Sequence, residues 1–386
     1  MLLRHLNQRG QPTDKPLALY DKWLILAVAG LVIIGLMMVA SSSVVVSSKH
    51  FNTPFHYLLR QSCYLALGLV AAVIIIRTDS SFWEKYSIPL MLISLLLLVI
   101  VLIPGIGKVV NGSRRWLSFG FIGIQVSELA KVAMIFYLSG YLVRQKKEVE
   151  ESVIGFIKPM FVLSVFCLLL LMEPDFGAAV VISATVMAML FLTGVKFRYY
   201  FGLALMVGLC LAALATSSPY RMTRLTAFLN PWADQFNTGY QLTQSLIAFG
   251  RGGLYGVGLG DSVQKLFYLP EAHTDFLFAV LAEEMGLVGI LLVIGLYSIL
   301  VTRGFMIGFN AYAQDRFFAA YTAYGITFWL GIQAAINMGV NAGILPTKGL
   351  TLPLMSYGGA SMMVCLSVIA ILVRIDHENR WRILGL

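Results

Sequence analysis

Ten apolar runs limit what this chain can become. They lie near Trp23–Val45, Tyr57–Ile76, Tyr86–Ile103, Val126–Val143, Pro159–Met172, Ala178–Val195, Tyr199–Thr216, Phe276–Val301, Phe317–Val340 and Ser356–Val373. A helix needs about 17 to 25 such residues to cross a bilayer. In lipid, a spanning segment must also satisfy its backbone N–H and C=O groups internally. The expectation is therefore an all-α, polytopic integral membrane protein with about ten transmembrane helices. Composition agrees, since only 12% of the 386 residues are charged, whereas soluble chains carry roughly a quarter. The net charge of +9 is spread between the apolar runs rather than gathered on one patch, which argues against nucleic acid. Cys63, Cys167, Cys210 and Cys365 all fall in apolar stretches, with no disulfide framework or metal-ligand spacing.

Lys and Arg set the orientation, because loops on the cytoplasmic side carry the excess. With the N-terminus inside, seventeen fall on the inner side, among them Lys22, Arg77, Lys85, Arg144, Lys158, Arg303, Arg316, Arg374 and Arg382. The short outer loops hold six: Lys49, Arg60, Lys108, Arg114, Arg115 and Lys348. The expected plan is one domain over 1–386, with cytoplasmic tails at 1–22 and 374–386. A large extracytoplasmic loop at 217–275 joins spans 7 and 8. Such a loop is far longer than an ordinary connection and reads as functional. Its piece Tyr240–Phe249 is amphipathic enough to lie in the membrane interface.

The chemistry concentrates in Tyr268–Gly286, Y-L-P-E-A-H-T-D-F-L-F-A-V-L-A-E-E-M-G. Asp275 stands at the mouth of an apolar helix. It reads either as a first-turn carboxylate favoured by the helix dipole or as a general base at the outer membrane surface. Thr274 is placed to cap the helix. Glu283 and Glu284 lie deeper and read as helix-to-helix fasteners. Glu128 and Lys131, three residues apart, share a helical face as a self-neutralising pair or as part of a ligand cavity. Arg114 and Arg115 stand where topology discourages cations, and Arg251 and Lys265 cluster near Asp275 in sequence. The turn Met172–Gly177 is explained adequately as a Pro-bounded connection. The Pro- and Gly-rich stretch 343–359 suggests a broken segment lining a cavity with Lys348 and Ser356, or else a tight packing turn.

Several strings, N-G-S-R-R-W-L, S-E-L-A-K, M-E-P-D-F-G, Y-Q-L-T-Q-S-L-I-A-F-G-R-G-G, L-P-E-A-H-T-D-F and G-L-T-L-P-L-M-S-Y-G-G, run in order from Asn111 to Gly359. In these the chain resembles the SEDS family of bacterial cell-wall polymerases, and its division branch more than its elongation branch. Val126 departs from the pattern where a Pro is common. The resemblance implies a peptidoglycan glycosyltransferase that polymerises lipid II at the outer face of the cytoplasmic (inner) membrane, at the division septum. It implies Asp275 as the catalytic residue. Arg114, Arg115, Glu128, Lys131, Arg251, Lys265, His273, Thr274, Lys348 and Ser356 are the substrate-binding candidates.

A lipid pyrophosphate is already a good leaving group and asks for cations more than for an acid. One base and one displacement predict inversion at the anomeric carbon. No cofactor is required by this scheme, although phosphate chemistry leaves room for a divalent cation, Mg or Mn. Implied partners are lipid II, the lipid-linked glycan strand, a class B penicillin-binding transpeptidase of the FtsI type and other divisome membrane proteins. The alternatives are a lipid II flippase, which needs polar residues through the full depth of the bundle, the elongation paralogue with the same chemistry, or a scaffold.

Overall fold

The carboxylate of Asp21 accepts a hydrogen bond from Leu24 N at 3.0 Å and so starts the first helix. The structure is a computed structural model and describes residues 20–110, 113–120, 122–194, 198–202, 205, 228–347 and 349–384. Twelve helices are labelled in it: α1 Lys22–Phe51, α2 His56–Ile76, α3 Ser80–Lys85, α4 Ser87–Leu102, α5 Val126–Arg144, α6 Lys146–Glu151, α7 Val153–Met172, α8 Phe176–Leu192, α9 Tyr240–Gly252, α10 Leu277–Tyr312, α11 Phe317–Asn341 and α12 Gly359–Ile383. Nine of the ten expected apolar runs coincide with long helices. The remaining run, Tyr199–Thr216, lies almost wholly outside the described residues. Among the described residues, six helices are long and apolar enough to cross a membrane. Helices α4 and α8 are apolar but shorter. Helix α11 is 25 residues long but carries buried Gln333, Asn337 and Asn341, polar groups that serve the interior rather than lipid.

One element was not anticipated. Between α4 and α5 the chain forms an antiparallel sheet in the order β1 Lys108–Val110, β2 Ser113–Phe119, β3 Ile122–Gln125. Trp116 is registered opposite Gln125. The sheet, the segment 228–275 and the connection 342–358 gather at one end of the bundle, here the sheet end. The opposite, terminal end holds the start of α1 and the end of α12.

The terminal end is fastened by ion pairs that join helices distant in sequence. Arg303 of α10 binds Asp21, and so does Arg380 of α12, at 3.8 Å. Glu378 binds both Arg374, at 2.7 Å, and Arg316.

Helix α10 departs from the continuous span expected there. Gly286 takes φ 62°, ψ −159°, a conformation open to glycine and strained for other residues. The freed backbone groups are met by the neighbouring loop: Val257 N donates to Glu283 O at 3.0 Å, and Leu287 N donates to Gly253 O at 3.0 Å. Irregular backbone at such a position survives only where protein satisfies it.

Helix α9 covers the amphipathic piece Tyr240–Phe249. It turns Leu242, Ser245, Ala248 and Gly252 inward. Ser245 Oγ donates to Asn341 O at 2.7 Å, so α9 is fastened to the bundle. Gly252 approaches so closely that a Cβ there would lie 1.9 Å from Ala282 O.

The described residues of the stretch 342–358 form no regular helix, and α12 begins at Gly359. Its backbone is satisfied by side chains. Gln61 donates to Ser356 O at 3.2 Å, Gln333 donates to Thr351 O at 3.0 Å, and Asn337 donates to Leu350 O at 2.5 Å. The Tyr297 hydroxyl donates to Pro353 O. Leu350, Leu352, Leu354 and Met355 are buried beneath it. This is the broken segment that the glycines and prolines suggested.

Candidate active site

At the sheet end the helices and loops enclose a cavity of about 920 Å³. One wall is the loop 269–275, which leads into α10. Others are β2 and β3, the first turns of α2 and α5, and the irregular stretch 349–358.

Asp275 sits at the junction of loop and helix. Its backbone carbonyl accepts hydrogen bonds from Asn337 Nδ2 at 2.9 Å and Asn341 Nδ2 at 3.0 Å. Its carboxylate faces the cavity below Gly349, where a Cβ would lie 3.2 Å from Asp275 Oδ2. Four carboxylates line the cavity: Glu128, Asp175, Glu271 and Asp275. Three have donors. Lys131 Nζ bonds Glu128 Oε1 at 2.9 Å, Ser127 Oγ bonds Asp175 Oδ2 at 2.8 Å, and Thr274 Oγ1 bonds Glu271 Oε2 at 2.7 Å. The Asp275 carboxylate has none among the described residues. Burial raises its pKa to about 7, with Glu271 and Asp175 pushing the same way and Arg115 opposing.

Thr274 does not cap α10. Its hydroxyl bonds Glu271, and the N-cap position falls at Phe276, whose side chain makes no cap. His273 lies between Tyr57 and Tyr357, at ring-centroid distances of 4.7 and 5.7 Å. Burial lowers its pKa, which favours the neutral imidazole.

Of the other sequence candidates, Arg115, Glu128, Lys131 and Lys265 line the cavity with Asp275, while Arg114, Arg251 and Ser356 do not. Successive strand residues point to opposite faces, so Arg114 turns away and donates to Leu102 O at 3.0 Å. Arg251 pairs with Glu283 at 3.2 Å. Ser356 Oγ accepts from Leu352 N at 3.0 Å, closing a turn. Lys348 lies outside the described residues.

Two of the lining cations are already engaged. Lys265 Nζ bonds Glu284 at 2.8 Å, Ser41 at 2.9 Å and Gly260 O at 2.5 Å, which uses its three protons. Lys131 Nζ bonds Glu128 and, at 2.8 Å, Gln333 Oε1, and lies 4.7 Å from the centroid of the Trp329 ring. Glu283 and Glu284 thus fasten the loop 251–265 to α10.

The residues missed in the sequence are Arg60, Lys108, Glu271 and Asp175. Arg60 and Lys108 line the cavity with no carboxylate partner among the described residues. In the sequence both stand among the outer cations, an exceptional position for such charge. Asp175 lies in the turn read as a plain connection. Its Oδ1 accepts from Ala178 N at 3.1 Å and so caps α8. Its Oδ2 also accepts from Gln125 at 3.1 Å. Arg115 grips the same turn, donating to Glu173 O at 3.2 Å and Pro174 O at 2.6 Å. Glu173 is fully buried, with no partner for either oxygen among the described residues. Burial first, and Asp175 second, raise its pKa to about 8.

Among the described residues no three His, Cys, Asp or Glu side chains gather as a ligand set. A Mg or Mn ion, which phosphate chemistry invites, would need only one or two of the cavity carboxylates together with the substrate's own phosphates.

A multi-pass helical bundle that surrounds a charged, water-accessible chamber at one end defines an integral membrane protein able to work on a polar group carried in lipid. The chain belongs to the FtsW/RodA/SpoVE family of cell cycle proteins, whose model matches residues 22–381. It is 72% identical over 383 residues to the probable peptidoglycan glycosyltransferase FtsW of Legionella pneumophila, covering 99% of this chain and 97% of that one. It is 55% identical to the protein of the same description in Coxiella burnetii, covering 93% and 97%. Among solved structures it resembles a chain from a peptidoglycan synthase complex described as coordinating polymerization and crosslinking, with TM-score 0.79, 28% identity and coverage of 93% and 98%. It also resembles Thermus thermophilus rod shape determining protein RodA, with TM-score 0.69, 29% identity and coverage of 94% and 98%.

Proposed function

We propose that this protein is a peptidoglycan glycosyltransferase of cell division, which polymerises lipid II into glycan strands. The observation that carries the reading is the Asp275 carboxylate. Alone among the four lining the cavity it has no donor among the described residues, and its pKa lies near 7. A base so poised takes a proton efficiently near neutrality. In this scheme it receives the proton of the acceptor sugar's 4-hydroxyl as that oxygen bonds to the donor's anomeric carbon. The C–O bond to the lipid pyrophosphate breaks, and the pyrophosphate leaves with the electron pair. Arg60 and Lys108, which line the cavity with no carboxylate partner among the described residues, are the cations to meet that charge, while Arg115 holds the turn beside it.

The outcome is inversion at the anomeric carbon. Glu271 and Asp175 line the same cavity, but their oxygens are committed to Thr274, Ser127, Gln125 and Ala178 N. Neither is poised as the second, nucleophilic carboxylate that retention requires.

The charge bias favours both termini and the terminal end in the cytoplasm, with the cavity opening outward, and the family's description as cell cycle proteins supports a site of action at the septum. A class B transpeptidase that crosslinks the product fits the synthase complex that this fold resembles; other divisome proteins would join it. The test uses purified protein with such a partner and labelled lipid II. Asp275→Asn, folded as judged by thermal unfolding, makes no glycan. If the variant polymerises normally, the base assignment fails. If wild type moves lipid II between leaflets and makes no polymer, the protein is a flippase.

A further inference from the structure

A second cavity, of about 420 Å³, opens at the terminal end, where α2 passes into α3 and where α11 begins beside the last turns of α12. Three arginines line it: Arg316, Arg374 and Arg382. The carboxylates beside them do not balance them. Glu378 is shared between Arg316 and Arg374, and Asp79, bound to Arg374, is 69% exposed on its side chain, where water weakens the pair. Arg382 is exposed and has no ion-pair or hydrogen-bond partner among the described residues. Burial together with the charges of Arg382 and Arg374 pushes the pKa of Arg316 down to about 10.

The rim has the character of a membrane interface. Trp381, which lines the cavity, is 45% exposed, and Phe82, which follows the lining residues Ser80 and Ser81, is 45% exposed. Half-exposed aromatics mark the level of lipid headgroups, and a cationic pocket between helix ends at that level meets the phosphates of the adjoining leaflet.

We infer that the cavity formed by Arg316, Arg374 and Arg382 beside Trp381 binds the phosphate of an anionic phospholipid headgroup. Arg382 supplies the unpaired charge, Arg374 and Arg316 supply donors from within, and Trp381 packs on the glycerol and upper acyl chain. No bond is made or broken. The assignment of this lipid to the cytoplasmic leaflet rests on the orientation proposed above; the pocket itself does not.

The test reads Trp381 directly. The full chain is reconstituted into phosphatidylcholine vesicles that carry an equal minor fraction of either brominated phosphatidylglycerol or brominated phosphatidylcholine. Trp381→Phe is measured in parallel to isolate the quenching of that side chain. Brominated phosphatidylglycerol should quench Trp381 well beyond brominated phosphatidylcholine. Arg382→Ala, which removes no described contact, should weaken the apparent affinity for the anionic lipid about fivefold.

Equal quenching by the two lipids, or an excess unchanged in Arg382→Ala, overturns the site. If brominated phosphatidylglycerol gives no excess in phosphate-free buffer while inorganic phosphate still binds the pocket, the occupant is a soluble phosphate and the lipid assignment falls. The same measurement on Asp275→Asn separates this inference from the polymerase reading, since that substitution leaves the pocket untouched: the excess persists there whether or not glycan is made.

Discussion

Asn341 holds the entry to α10 at two points: its Nδ2 donates to Asp275 O at 3.0 Å, and its Oδ1 accepts from Ala279 N at 3.0 Å. One side chain on α11 therefore fixes both the residue bearing the proposed base and the first turn that follows it. Asn341→Leu should leave buried groups unpaired, at about 1–3 kcal/mol of stability. Because Asn337 still binds Asp275 O, the fold should survive. The turnover number should fall while KM stays nearly constant, as initial rates against lipid II concentration would show.

The elevated pKa of Asp275 gives a pH profile. Activity requires its ionised form, so kcat/KM should fall about tenfold per unit below pH 7 and level off above it. The sign follows from protonation: the carboxyl is held neutral by burial until about pH 7. A profile flat between pH 5 and 8 would contradict the assignment.

Glu173 makes a separate prediction about stability. Its pKa is raised to about 8 in the folded state from 4.5, so the folded protein holds this proton more tightly than the unfolded chain does. Its effect on stability is absent below about pH 4.5 and becomes an increasing penalty as pH rises toward 8. Glu173→Gln removes the titration. Its melting temperature should gain on wild type between pH 5 and 8 and level off above that, and a constant difference would count against a proton on Glu173.

Arg60 and Lys108 can be separated from the base by kinetics. Arg60→Gln and Lys108→Gln should each weaken catalysis by roughly 10- to 100-fold in kcat/KM if they meet charge at the pyrophosphate. Lys265→Gln should behave differently, because its ammonium is bound to Glu284, Ser41 and Gly260 O. It should lower thermal stability by more than it alters the pH profile.

The Glu128–Lys131 pair tests what buried charge does in this bundle. Both residues are nearly inaccessible. Lys131→Met leaves Glu128 charged and unpaired, at about 3–5 kcal/mol. The double variant Glu128→Gln, Lys131→Met should recover most of that stability. Recovery of glycan synthesis as well would show that the pair only supports the fold.

Much of this arrangement was legible because lipid imposes so strict a pattern. Nine helices could be placed from apolar runs, and the Gly- and Pro-rich stretch before α12 declared its irregularity. The sheet was not legible, since three short strands over Lys108–Gln125 are defined by pairing with one another rather than by any run. The cavity was half legible. Asp275, Glu128 and Lys131 stood out as charges in apolar surroundings. Asp175 did not, because a carboxylate in a Pro-bounded turn looks solvated until Ser127 and Gln125 are brought to it from elsewhere in the chain. Arg114 and Arg115 were indistinguishable in sequence, and only strand alternation sends one to the cavity and the other to Leu102.

The irregular stretch 349–358 is completed by Gln61 from α2, Tyr297 from α10, and Gln333 and Asn337 from α11. All four donors are made before it as the chain is synthesised from its N-terminus. When this segment emerges, the groups that must receive its carbonyls already exist, so the one part of the chain least able to enter lipid by itself is also the part that never has to wait there for a partner.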